Sequence, residues 1–238
     1  MEIIPAIDVR EGECARVLGA DAKTESIRSE DAVEQAVILK RLGADWIHIT
    51  DLDAAFSGHL NNINVLRDIA SRAQVNIQYS GGVRNLEHIE TLLALGVQRV
   101  VLGVTFLRDR NLTQEAFTKY GERILPGVDA RDGMVAIEGF KTSAATEVGY
   151  MVQSLQEMGV SRILYTDLRR IGSLRGANLA MIDSMVSQGL KVHVAGGVNS
   201  YETIQRLKEA GVEGVIIGKA IYTGAIDLPQ ALGLAKLP

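Results

Sequence analysis

The chain is poor in the residues that staple or ligate: 238 residues hold one cysteine, four histidines and four prolines. The single cysteine, Cys14, excludes an intrachain disulfide and leads us to expect a cytoplasmic setting. No cysteine–histidine arrangement is evident, so Cys14 is expected as a small, half-buried side chain rather than a nucleophile. The histidines show no metal-ligand spacing, and no metal is expected. Basic charge is also in deficit, with a formal net charge of −4, which argues against nucleic acid as a partner. No apolar run approaches the roughly 20 residues that cross a bilayer, and the opening residues show no targeting signal, so no membrane partner is expected. Nucleotide signatures are missing too: no Gly-x-Gly-x-x-Gly stands in the right context and no Gly-Lys-Ser/Thr loop occurs. No cofactor is expected.

What remains is the composition of an ordinary enzyme, 47% hydrophobic and 23% charged, able to bury a sizeable core. Short apolar runs alternate with amphipathic stretches throughout. The strand-like runs are EIIPAID (2–8), WIHITD (46–51), VNIQYS (75–80), QRVVLG (98–103), RILPGVD (123–129), RILYTD (162–167), KVHVAG (191–196) and EGVIIG (213–218). Between them lie segments such as DAVEQAVILKRLG and YETIQRLKEAG, with helical spacing and a terminal glycine suited to a C-cap. Near-continuous apolar strands separated by helices predict a parallel sheet buried on both faces. Eight such units predict an α/β fold, a (β/α)8 TIM barrel, and no linker interrupts it, so one domain over 1–238 is expected.

The chain also repeats itself. IIPAIDVREG (3–12) is answered by ILPGVDARDG (124–133), and RLGADWIHITDL (41–52) by EMGVSRILYTDL (157–168). SGGVRNLEHIETLLALGVQRVVLG (80–103) is answered by AGGVNSYETIQRLKEAGVEGVIIG (195–218). Gly82 and Gly103 stand the same distance apart as Gly197 and Gly218. Each half supplies four strand–helix units, so the barrel is built from two duplicated half-barrels.

In such barrels chemistry collects where the strands end. Asp8 and Asp129 end the first strand of each half and are predicted to face each other across the mouth. A symmetric carboxylate pair can divide acid and base work; the alternative is that each caps its loop or pairs with Arg10 or Arg131. The pairs Gly81–Gly82 and Gly196–Gly197, with Gly103 and Gly218, would let backbone N–H groups approach two anions on opposite sides of that mouth. Thr105 and Lys219 could add a hydroxyl and a charge, and Arg16 and Arg84 lie just beyond strand ends. A small substrate with a phosphate at each end would suit two such sites. His48 and His193 fall inside strands and read as polar core residues.

PAIDV-REG, TDLDAAF, SGGVR, GVDARDG-MVAIEGF, YTDL, AGGV and GVIIGKA together resemble the phosphoribosyl isomerases of histidine biosynthesis over essentially the whole chain. The resemblance implies a half-barrel duplication that turns a bisphosphorylated phosphoribosylamine from aldose to ketose by an Amadori rearrangement without a cofactor. It implies Asp8 as proton acceptor and Asp129 as proton donor, phosphates held by the glycines at 81–82, 103, 196–197 and 218, and Arg16 on the substrate. Ser80, Thr166, Gly172 and Ser173 join the substrate-binding candidates, and a monomer is expected. Two places depart from the family's pattern: Ile171 stands where an aspartate acid is usual, and Gly139-Phe140 where Gly-Trp is usual. Ser80 and DLDAAF look more like the bifunctional branch that also serves tryptophan synthesis, whereas Glu138 does not. The alternatives are therefore a phosphoribosylanthranilate isomerase and a non-catalytic sugar-phosphate binder, the latter disfavoured by two carboxylates facing anionic phosphates.

Overall fold

The computed structural model describes residues 1–17, 24–25, 31–137, 142–170 and 177–237. Eight parallel strands form a closed ring: β1 (Glu2–Arg10), β2 (Trp46–Asp51), β3 (Asn76–Ser80), β4 (Arg99–Leu102), β5 (Ile124–Arg131), β6 (Arg162–Asp167), β7 (Lys191–Ala195) and β8 (Gly214–Ile217). Each pairs with its successor, and β8 returns to β1 through Glu2↔Gly214 to Pro5↔Ile217, so no sheet edge is left open. Eight helices follow the strands: α1 (Ala32–Arg41), α2 (Ile63–Ala73), α3 (Leu86–Ala94), α4 (Arg110–Tyr120), α5 (Val148–Glu157), α6 (Leu179–Ser187), α7 (Tyr201–Glu209) and α8 (Leu228–Lys236). The expected TIM barrel of two half-barrels is what the chain forms. α1 and α7 end as expected, with Gly43 (φ 100°) and Gly211 (φ 79°) one residue past their C-caps.

Period two divides each strand between two cores. Outward residues such as Ile47, Ile77, Val100, Val128, Ile163, Val192 and Val215 pack with Leu39, Ile69, Leu92, Leu155, Ile182 and Leu207 of the helices. Each such side chain stabilises the fold by about 1.5–3 kcal/mol on burial. Inward residues form a separate cluster, Ile4, Ala6, Val101, Leu125, Leu164 and Ile216, which fills the barrel. Gly127 makes room there, since a Cβ would stand 2.9 Å from Val101 Cγ1.

The N-terminal end of the barrel is closed by charge. Arg99 forks onto Glu2 at 2.7 and 3.1 Å and lies 3.8 Å over the Trp46 ring. Arg162 forks onto Glu213 at 2.5 and 2.9 Å, and His193 Nε2 adds a contact to Glu213 at 3.1 Å. These pairs hold the stability end of the molecule and leave the other end free for ligands.

Each first strand overshoots its expected end and turns back. β1 pairs antiparallel with Glu13–Val17, and β5 with Met134–Ile137, which pairs in turn with Thr142–Glu147. The two-residue turns have positive φ at both places, Glu11 (52°) and Gly12 (84°), then Asp132 (54°) and Gly133 (79°), as a type I′ hairpin requires. Short helices Leu52–Ser57, Val104–Leu107 and Lys219–Tyr222 also decorate the mouth. The sequence reading had none of these arms, although Arg-Asp-Gly-Met carries the hairpin signal.

Candidate active site

Strand register places one row of inward residues along the mouth in each half. In the first half Asp8 pairs in register with Thr50, and Thr50 with Ser80. In the second half Asp129 pairs with Thr166, and Thr166 with Ala195. The two rows are repeat images of one another, Asp–Thr–Ser and Asp–Thr–Ala. Each aspartate stands beside its threonine, whose hydroxyl favours the charged carboxylate.

The two carboxyls share one electrostatic environment. Each is half-buried, reached by solvent yet walled by protein, and loss of water raises its pKa to about 6, against a smaller lowering by the threonine hydroxyl. At neutral pH each is mostly ionised but keeps a protonated fraction of about one in ten. A group so poised can both take and give a proton, which general acid–base work at pH 7 needs. The unliganded barrel does not push the two values apart; a bound substrate has to set which is acid and which is base.

The candidate phosphate glycines divide into two kinds. Gly81 and Gly82 have φ of 113° and 67°, and a Cβ on either would stand 2.3 Å from a backbone oxygen, of Asp51 and Ala54 respectively. Gly196 and Gly197 repeat the positive φ, at 85° and 79°. The first pair is thus demanded by the chain's own close passage over Leu52–Ser57, a reason that holds with or without a ligand. Gly103 and Gly218 differ. A Cβ at Gly103 would meet nothing within 4 Å, and at Gly218 only Ala6 Cβ at 3.8 Å. Both open directly into short helices, and that after Gly218 has no side-chain cap. The longer helices after the Gly–Gly pairs are capped by the side chains of Asn85 and Ser200.

The other candidates fall as follows. Ser80 and Thr166 stand in the two rows, and Lys219 is exposed at the head of the short helix after Gly218. Thr105 lies in the matching helix after Gly103. Arg16 is on the arm beside β1, its backbone paired with Glu25. Arg84 is exposed and lies along Gly58. Gly172 and Ser173 lie outside the described residues, as do Glu138, Gly139, Phe140 and Ile171. Asp167, four residues before Ile171, is 8% exposed and bound by Arg169 N at 3.0 Å and Arg170 Nε at 3.2 Å. Its oxygens are engaged by the loop that follows, as those of Asp51 are by Ala54, Asn62 and Tyr79.

Sequence reasoning missed a set of residues that hold the arm of the first half. Asn62 bridges Asp51 (2.7 Å) and Asp53 (2.8 Å) and accepts from Gly12 N at 2.9 Å, while Asp53 accepts from Glu11 N at 2.6 Å. Only the fold brings these residues together, so no local signal could have found them. Among the described residues no group of three or more histidine, cysteine, aspartate or glutamate side chains could hold a metal ion.

A duplicated (β/α)8 barrel that brings one half-buried carboxyl from each half to the strand ends has the architecture of a barrel enzyme. Known proteins place it more closely. The profile of the family described as histidine biosynthesis protein matches residues 2–227, and the chain belongs to that family. It is 39% identical over 238 residues to a protein of Acetivibrio thermocellus, covering 99% of this chain and 100% of that one. It is 42% identical over 240 residues to one of Desulforamulus reducens, with 99% and 98% covered, and 35% identical over 238 residues to one of Chloroflexus aurantiacus, with 100% and 99% covered. All three are named as isomerases of an imidazole-4-carboxamide that carries two 5-phosphoribosyl groups.

Proposed function

We propose that this chain is the cofactor-independent aldose–ketose isomerase of histidine biosynthesis, acting on the doubly phosphoribosylated imidazole-4-carboxamide for which its relatives are named. The observation that carries the reading is the symmetric pair Asp8–Thr50 and Asp129–Thr166, both carboxyls raised to about 6.

The chemistry fits the pair. Asp129 gives a proton to the ribose ring oxygen as its bond to C1 breaks, and the nitrogen lone pair closes a C1=N double bond. Asp8 takes the C2 proton, and the electrons left behind form a C1=C2 enolamine. Return of a proton to C1 and departure of the C2 hydroxyl proton, which restores the protonated acid, give the C2 ketone. C1 is reduced as C2 is oxidised, so the redox balance closes inside the substrate. Gly81–Gly82 with Gly103 and Thr105 would seat one phosphate, and Gly196–Gly197 with Gly218 and Lys219 the other. Arg16, Ser80, Thr166, Gly172 and Ser173 complete the substrate contacts in this reading. We take the enzyme to work as a monomer in the cytoplasm.

Steady-state turnover of the histidine-pathway substrate and of phosphoribosylanthranilate, by wild type and by Ile171→Asp, tests it. Conversion of the first substrate by wild type is expected, with a gain of tenfold or less from Ile171→Asp, since the two aspartates carry both proton steps. Turnover of the anthranilate substrate alone, or of neither, overturns it.

A further inference from the structure

The first half-barrel holds a polar column that the second lacks and that the reaction above leaves unused. Gln78 and His48 are register partners on β3 and β2, 0% and 6% exposed, one level beneath the row Asp8–Thr50–Ser80. Gln78 Nε2 lies 3.0 Å from His48 Nδ1, and His48 Nε2 lies 3.1 Å from Ser80 Oγ. At the repeat-related places of the second half, His193 stands for Gln78 and is itself buried, whereas Leu164 replaces His48 and Ala195 replaces Ser80, and these two pack with the apolar cluster inside the barrel. This fold therefore accepts hydrocarbon at those places. A histidine and a serine at those places cost desolvation that leucine and alanine avoid. Packing alone does not account for the column.

Counting hydrogens gives it a direction. An amide nitrogen only donates, so with the Gln78 amide turned this way, Nε2 toward the ring, His48 Nδ1 is the acceptor. Burial, and second the nearby His193, lower the His48 pKa to about 3, so the ring is neutral and its one hydrogen is on Nε2. Ser80 Oγ accepts that hydrogen. The hydroxyl's own hydrogen is then left to donate into the mouth, one strand from Thr50 and two from Asp8.

We propose that His48, set by Gln78, is a positioning residue that holds Ser80 as a one-way donor to the substrate. This donor, absent at Ala195, tells the barrel which end of a nearly symmetric two-phosphate substrate to seat beside Asp8. The substrate in this statement rests on the isomerase reading above; the placement of the hydrogens does not.

The repeat itself supplies variants that the fold already packs, His48→Leu and Ser80→Ala. Turnover of the doubly phosphoribosylated substrate is measured for both and for the double variant. Each single change is expected to lower kcat/KM by about 10- to 100-fold, and the double by little more than the larger single loss, because both remove one donor. Losses that multiply mean that His48 acts independently of Ser80, and overturn the proposal. Nitrogen-15 NMR of His48 in ligand-free wild type is the second readout, one that a merely structural role leaves open. A hydrogen on Nε2 and a bare Nδ1 is expected; a hydrogen on Nδ1 makes Ser80 donate to His48 Nε2, leaves only its lone pairs for the substrate, and overturns the proposal. Should His48→Leu fail to fold, His48→Gln serves to assign the signal and the tautomer decides. Should wild type turn over no phosphoribosyl substrate, the isomerase reading fails while the tautomer still judges the column.

Discussion

Asp53 and Arg169 occupy the same place in the two half-barrels, two residues after the Thr-Asp of β2 and β6, and with opposite charges each ties down the hairpin turn beside its own half's strand-end aspartate. Asp53 takes the backbone N–H of Glu11, in a network closed by Asn62 and Asp51. Arg169 instead pairs with the side chain of Asp132, and both partners are more than half exposed. Duplication kept the clamp and changed its chemistry.

The two clamps should fail differently. Asp53→Ala leaves buried Asn62 without one of its acceptors, and should cost about 1–2 kcal/mol. Arg169→Ala removes an exposed ion pair and should cost about 0.5 kcal/mol or less, vanishing in 1 M salt. Urea unfolding of both variants at low and high salt measures this. An equal cost for the two, or a salt-dependent loss for Asp53→Ala, contradicts the assignment.

Asp8→Asn and Asp129→Asn should each lower kcat by about 10³-fold or more while the barrel stays folded, since asparagine keeps the shape but can neither take nor give the proton. The loss should fall on kcat rather than on KM. Steady-state kinetics with circular dichroism as the control decide it. A loss confined to KM would make the aspartates substrate anchors only.

The raised pKa values fix a pH optimum. The productive free enzyme holds one carboxyl ionised and the other protonated, and with both near 6 that form is most abundant near pH 6. After correction for substrate phosphate ionisation, kcat/KM should fall about threefold by pH 7 and about 25-fold by pH 8. A profile flat from pH 5 to 8 rules out a free-enzyme acid of this kind.

The same shift acts on stability with the opposite preference. Each carboxyl is about 6 in the folded barrel against 3.8 in the unfolded chain, so its stabilising contribution is complete below pH 3.8 and is lost as pH rises through 6. Asp8→Asn should therefore be more stable than wild type at pH 8 by about 1–2 kcal/mol, the partial exposure of the carboxyl limiting the gain, and equal to it near pH 4. Thermal unfolding at the two pH values measures the difference. A variant less stable at pH 8 would mean that Asp8 is placed for packing.

The ring of strands was legible because its apolar runs are short, uninterrupted and bounded by glycine. WIHITD and RILYTD were placed to the residue, and the others within two. The matching places of Asp8 and Asp129 were legible because the repeat writes them twice. The clamps were not: Asp53 meets Glu11 across 42 residues of chain, and only strand order makes them neighbours. His48 read as a core residue, which it is, at 6% exposure. Its reach to Ser80, 32 residues on, depends on the register between β2 and β3, which periodicity leaves open. The glycines were read as one set because composition carries no φ.

That last distinction can be measured. Gly82 sits at φ 67° with a Cβ position 2.3 Å from Ala54 O and 2.6 Å from Ala54 Cβ, backbone and methyl that cannot swing aside. Gly82→Ala should lose about 3 kcal/mol or more of stability, or fail to accumulate as folded protein. Gly103 faces open space, so Gly103→Ala should unfold within about 0.5 kcal/mol of wild type. If that space holds a substrate phosphate, the added methyl meets the ligand instead of the protein, and KM should rise about tenfold or more. A Gly103→Ala enzyme with unchanged KM would remove Gly103 from the phosphate site and leave Gly218, with the uncapped helix behind it, as the better-supported half of the pair.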